Sequence, residues 1–194
     1  VSASGHDLPL ADEPFGHPVL AEEQRFTGAK WTVWSDTVDI NGHVVVRDVL
    51  RHPGAVAVAA VDDHGRILLI RQYRHPAQAY MWELPAGLLD QPGEDLVECA
   101  RRELVEEAGV TAEVWTTLIT LALSPGGTSE RITVFLATGL TVDPESRPYT
   151  GEAEERELPQ LWVTISDAVE RCLDGSITNA TAVAAILALA ALRR

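Results

Sequence analysis

Residues 83–110 read ELPAGLLDQPGEDLVECARRELVEEAGV, from Glu83 to Val110. This stretch predicts a strand end, a Gly/Pro-rich loop and a helix of about three to four turns. The helix carries an unusual crowd of carboxylates, Glu103 and the Glu106-Glu107 pair. Like charges three and four residues apart cost a helix a few tenths of a kcal/mol each, so ordinary helices avoid them. At about 100° per residue, Leu96, Ala100, Leu104 and Ala108 define an apolar arc. Glu107 falls inside that arc, Glu103 on its edge and Glu106 further round. Two carboxylates therefore point toward the protein body. A buried, unpaired carboxylate is expensive, so each must be protonated, paired with a cation or bound to metal. Clustered hard oxygen ligands favour Mg²⁺ or Mn²⁺ over zinc. The plainer alternative is a solvated acidic face with Arg101 and Arg102 as salt-bridge partners.

Outward from this stretch, the 194 residues suit one domain with at most a small appendage, and 46% apolar content is enough for a real core. The net charge of −14 argues against nucleic-acid partners and against an anionic membrane. It does not argue against a phosphate substrate, because a divalent cation supplies positive charge locally. Cys99 and Cys172 offer neither a disulfide framework nor metal-ligand spacing, and are expected to be reduced in a cytoplasmic protein. Residues 1–20 are broken by Pro9, Pro14 and Pro18 and form no secretory segment. Residues 1–24 are expected to be a flexible tail, 25–52 an N-terminal β region, and 53–194 the main domain.

In the β region, two strand-like runs flank Asn41-Gly42, a strong two-residue hairpin signal. Trp31 and Trp34 belong to this hairpin, as packing residues or as faces for a base. Residues 54–61 and 66–73 read as buried strands. Arg71 and Arg74 leave the second toward the Glu83 loop, to neutralise carboxylates or to grip a phosphate. Beyond the helix, residues 113–123 form one long strand or a pair, Ser124-Pro125-Gly126-Gly127 a turn, and residues 131–138 another strand. Residues 139–157 are an acidic loop that carries Glu152, Glu154, Glu155 and Glu157. It is either a solvated run or the source of a general base. A last strand covers 161–165, Ser166 caps a helix over 167–173, and an apolar helix over 179–192 is too short to span a bilayer.

Arg102-Glu103-Leu104-Val105-Glu106-Glu107-Ala108-Gly109-Val110 resembles the second half of the Nudix box, the signature of Nudix hydrolases. Seven residues separate Glu94 from Arg102, as the pattern asks. It departs in one place, where six residues rather than five separate Gly87 from Glu94. The extra residue falls in the loop, so the ligand geometry on the helix need not change. Periodicity alone leaves a doubly wound sheet and a mixed sandwich open. The resemblance implies the latter, an α/β class with an α/β/α sandwich around a mixed sheet, preceded by an N-terminal β-hairpin region.

Within that superfamily the chain is similar to ADP-ribose pyrophosphatases, through Arg47 in the hairpin region, the WELPAGLLD lead-in and Pro125, 16 residues past Gly109. The resemblance implies Mg²⁺-dependent (or Mn²⁺-dependent) hydrolysis of ADP-ribose to AMP and ribose 5-phosphate. It implies metal ligation by Glu103, Glu106, Glu107 and the Ala86 carbonyl. Arg102 would hold the carboxylates and Glu94 would fix Arg102. Arg47, Arg74, Glu83 and Trp31 would contact substrate, and Glu155, or failing it Glu154, would be the loop base acting with Glu103 and Glu107. It further implies a cytoplasmic homodimer with shared sites. The alternatives are a Nudix hydrolase of another nucleoside diphosphate derivative, such as NADH or a nucleotide sugar, a non-catalytic ADP-ribose sensor, and a structural protein with an acidic helix.

Overall fold

The computed structural model describes residues 10–91, 93–143, 147 and 158–192. The chain divides into two compact units, Val1–Leu50 and Arg51–Arg194. The first holds a three-stranded sheet of β1 (Val19–Thr27), β2 (Thr32–Ile40) and β3 (His43–Arg51) in that order. Asn41 and Gly42 join β2 to β3 with φ of 53° and 85°. Both therefore take the left-handed values that a tight two-residue hairpin requires. Residues 19–24, expected in the tail, instead form the first part of β1 and pair with β2. Every residue of β1 is exposed in this chain, so backbone pairing rather than an apolar pattern defines the strand.

The second unit contains β4 (Ala55–Ala60), β5 (Arg66–Arg74), β6 (Ala79–Glu83), β7 (Ala86–Leu88), β8 (Val110–Ala122), β9 (Arg131–Val142) and β10 (Gln160–Thr164). Its helices are α1 (Leu96–Ala108), α2 (Ile165–Leu173) and α3 (Ala180–Leu192). One sheet has the order β7-β4-β9-β8 and a second the order β10-β5-β6. The pairing is mixed, because β4 runs parallel to β9 while the other pairs are antiparallel. β4 is buried at every position, which explains its unbroken Ala/Val run. Val56, Val58 and Ala60 face α1, in a core with Leu68, Cys99, Ala100 and Leu104. Ala55, Ala57 and Ala59 face the other way, in a core with Ile165, Ala168, Ala182, Ala185 and Ile186 of α2 and α3. Helices on both faces of a mixed sheet make this the expected α/β/α sandwich.

Two local expectations change. The cap of α2 is Thr164, whose Oγ1 accepts from the Asp167 N–H at 3.2 Å, rather than Ser166. Leu96, placed on the apolar arc of α1, is 40% exposed because it sits in the first turn. Cys99, one turn on, is fully buried in its stead.

Candidate active site

The site is built where α1 crosses β7. Asp95 starts the helix by accepting from the N–H groups of Val97 and Glu98, both at 2.9 Å. Gly109 ends it at φ 65°, donating to the carbonyls of Leu104 and Val105. That left-handed cap is why a glycine follows the carboxylates. Glu103 and Glu107 are buried, while Glu106 is partly exposed.

The lead-in loop is fastened to β4. Pro85 O accepts from the Val58 N–H at 2.8 Å and Gly54 O from the Leu89 N–H at 3.2 Å. Ladder bonds at alternate positions turn the N–H and C=O of Ala86 away from β4. The Ala86 N–H meets Glu107 Oε2 at 2.8 Å. Its carbonyl leaves the strand on that same side. Gly87 faces Glu103 so closely that a Cβ there would lie 2.0 Å from the Glu103 Cδ and Oε1. Only a glycine leaves room for that carboxylate.

Arg102 gathers the remaining acids. Its Nε and Nη2 donate to the two oxygens of Glu94 at 3.0 and 3.1 Å. Its Nη1 donates to Glu103 Oε1 at 2.6 Å and to Glu106 Oε2 at 3.0 Å. The bidentate bond to Arg102 holds the Glu94 carboxyl below the ordinary carboxylate range despite some burial. Reciprocally, the bond to Glu94 pushes the Arg102 guanidinium still further toward its charged form, with Glu103 and Glu106 adding to it. Cys99 Sγ donates to Leu88 O at 3.4 Å, tying the helix to β7. Burial first, then the Glu94 charge, pushes its thiol up to about 12.

A second polar pair lies on the α1-facing side of β5 and β6. Arg74 Nε contacts both oxygens of Glu83, at 3.0 and 3.1 Å, and its Nη2 contacts Oε2 at 2.7 Å. Glu83 is buried and Arg74 half-exposed. Arg71 does not join them. It lies over the Tyr80 ring at 5.0 Å, on the opposite face of the sheet, because strand side chains alternate. Trp31 is half-exposed in the first unit, and Arg47 Nη1 donates to its neighbour's carbonyl, Val46 O, at 3.0 Å. Glu154 and Glu155 lie outside the described residues. Pro125 sits exposed in a turn closed by Ser124 O, which accepts from Gly127 and Thr128 at 3.0 Å.

Residue spacing had not singled out Gln160. Its Nε2 donates to Ala108 O at 3.1 Å and approaches Glu107 O at 3.5 Å, closing the C-terminus of α1 from β10. Arg147 Nε adds a contact to Glu106 O at 3.3 Å. Such bonds depend on tertiary pairing, and a lone Arg within an acidic loop or a Gln just after it carries no sequence signal for them.

The donor set suits a hard divalent cation. Glu103, Glu106, Glu107 and the Ala86 carbonyl supply oxygen only. The carboxylates are turned onto Arg102 and the Ala86 N–H. Among the described residues no three acidic, His or Cys side chains already converge as a closed cage. Arg102 thus balances charge that a cation would otherwise balance.

The NUDIX domain family matches residues 50–184. An ADP-ribose pyrophosphatase of Mycobacterium tuberculosis is 42% identical over 88% of this chain and 81% of its own length. An ADP-ribose pyrophosphatase of Bacillus subtilis is 39% identical over 78% of this chain and 80% of its own. A crystal structure of an ADP compounds hydrolase superposes with a TM-score of 0.77 at 26% identity, covering 94% of this chain and 96% of that one.

Proposed function

Since the chain belongs to the Nudix family and is a Nudix pyrophosphohydrolase, we propose that its substrate is ADP-ribose, cleaved at the pyrophosphate link to AMP and ribose 5-phosphate. The observation that carries the reading is the convergence of Glu103 and Glu107 on the Ala86-Gly87 backbone, where a side chain at position 87 would collide with Glu103. Likeness to the two ADP-ribose pyrophosphatases supports the substrate.

The chemical problem is repulsion, because anionic phosphate oxygens keep a nucleophile away from phosphorus. Glu103, Glu106, Glu107 and the Ala86 carbonyl would hold Mg²⁺ or Mn²⁺. When bound, the ion neutralises those oxygens and acidifies a coordinated water. Arg102 holds the Glu103 and Glu106 carboxylates together, and Glu94 fixes Arg102 by two bonds. Arg74, aligned by Glu83, offers a guanidinium to a phosphate or ribose oxygen. Glu155, or Glu154, takes the proton from the attacking water. That water's oxygen forms the new P–O bond as the bridging P–O bond breaks. Trp31 and Arg47 are proposed substrate contacts, completing a site in a homodimer. The compartment we propose is the cytoplasm, where free Cys99 and Cys172 stay reduced.

Product analysis with ADP-ribose, NADH and GDP-mannose at equal concentration and with Mg²⁺ tests the substrate. AMP and ribose 5-phosphate from ADP-ribose at the highest kcat/KM is the expected result. A clear preference for either other compound refutes the assignment. Mixing Glu107→Gln chains with Arg47→Ala chains tests the shared site. Recovery of about a quarter of wild-type activity is expected, since about half the dimers are mixed and each has one intact site. No recovery after confirmed subunit exchange excludes sharing.

A further inference from the structure

Gln72 is a buried polar residue that the chemistry above leaves unused. It lies on β5 between Ile70 and Arg74 and pairs across to Met81 on β6. Alternation puts Leu68, Ile70, Gln72 and Arg74 on one face of the strand. That face is the one toward α1, because Leu68 shares a core with Cys99, Ala100 and Leu104. Across the strands, Gln160, Ile70 and Glu83 stand in one row of it. Gln72 is therefore one step along the strand from the Glu83 row and one step from Arg74, on the side of the candidate site. It is only 8% exposed, yet its Oε1 has no hydrogen-bond partner among the described residues.

A buried amide oxygen without a donor destabilises the protein that holds it, and an apolar side chain of similar volume would avoid the penalty. Nothing about β5 as a strand calls for glutamine, since Ile67, Leu68, Leu69 and Ile70 precede it as a buried apolar run. A lone acceptor kept at a cost beside Arg74 and Glu83 is placed to receive a donor from outside the chain. We propose that Gln72 is a specificity-determining residue whose Oε1 accepts a hydrogen bond from an uncharged donor of the bound substrate, a base amino group or a sugar hydroxyl. The proposal rests on the assignment of Arg74 and Glu83 to the substrate pocket. Arg74 would orient the charged part of the ligand, and Gln72 would read the neutral group beside it. A ligand lacking that donor leaves the same oxygen unpaired and gains nothing for entering the pocket.

This makes opposite demands on stability and on affinity, which an ordinary structural glutamine would not. Gln72→Met and Gln72→Leu remove the orphan oxygen while keeping volume. Both are expected to raise Tm, by roughly 2–6 °C. Both are also expected to raise KM for ADP-ribose about three- to tenfold with kcat nearly unchanged, the size of one neutral hydrogen bond. The analogue with hypoxanthine in place of adenine separates the two donors. If Gln72 reads the base amino group, wild type prefers ADP-ribose and the variants lose that preference. If it reads a sugar hydroxyl, KM rises equally for both substrates. An unchanged KM in variants of an active enzyme overturns the proposal, and so does a fall in Tm, the mark of a glutamine needed for packing. A wild-type protein inactive on ADP-ribose would refute the substrate assignment instead. The same comparison would then be run on whichever of NADH or GDP-mannose it hydrolyses, with the same two outcomes decisive.

Discussion

Gly87→Ala separates a structural site from a working one. The added Cβ would lie 2.0 Å from the Glu103 Cδ and Oε1 and 2.5 Å from its Cγ, distances that real contacts do not reach. The backbone of Gly87 is anchored by its pairing with Val56, so the flexible partner, Glu103, must give way. Moving it breaks the 2.6 Å bond to Arg102, in which both side chains are mostly buried. A charge-assisted bond of that kind is worth about 1.5–3 kcal/mol. Replacing glycine where φ is not positive returns about 0.4–1 kcal/mol through the unfolded chain. The net loss is then roughly 1–2 kcal/mol, or a Tm lower by about 2–8 °C for a chain of this size. Activity should suffer far more. Displacing a catalytic group by an ångström costs on the order of 10²-fold in kcat. Gly126→Ala is the control, since nothing lies within 4 Å of a Cβ there, and it should change stability by less than about 0.5 kcal/mol. Thermal melts and steady-state kinetics on the three proteins read both effects. A Gly87→Ala enzyme with wild-type kcat and Tm would mean that Glu103 does not rest against Gly87 in the working protein, and the reasoning would fail.

Glu107→Gln keeps an oxygen for the Ala86 N–H, so the fold should survive while kcat drops by at least about 10²; near-normal turnover in the folded variant would place the cation elsewhere. Glu94 has a folded pKa below its ordinary value of 4.5, so its contribution is complete above that pH and is lost as pH falls through the depressed value. Acid titration of wild type and Glu94→Gln should therefore show a stability gap at pH 7 that closes in acid, and a constant gap would contradict the ion-pair account. The Cys99 thiol, raised from 9.0 to about 12, favours the folded state below pH 9 and ceases to lose ground only above 12. Stability should fall across that window by less in Cys99→Ala than in wild type. Alkylation at pH 8 should leave Cys99 unmodified in the folded protein, as judged by peptide mass.

The local grammar of α1 could be derived from order alone. Carboxylates at 103 and 107 share a helical face with Ala100 and Leu104 because 3.6 residues make a turn, and the structure buries all of them. Asn41-Gly42 marked its hairpin because few other pairs tolerate left-handed φ at two consecutive positions. The Glu94-to-Arg102 spacing and the run from Arg102 to Val110 likewise point to the family from the sequence alone. What order alone left undecided was cross-strand and cross-element pairing. That Arg71 turns to Tyr80 while Arg74 turns to Glu83 follows from the register of β5 on β6. That Gln160 closes α1 follows from β10 lying beside β5, and the isolation of the Gln72 oxygen follows from what surrounds that strand. Periodicity repeats every few residues and is written in the chain. Register is settled only when distant strands compete to bury their apolar faces and to pair their backbones, so those contacts had to come from the tertiary structure.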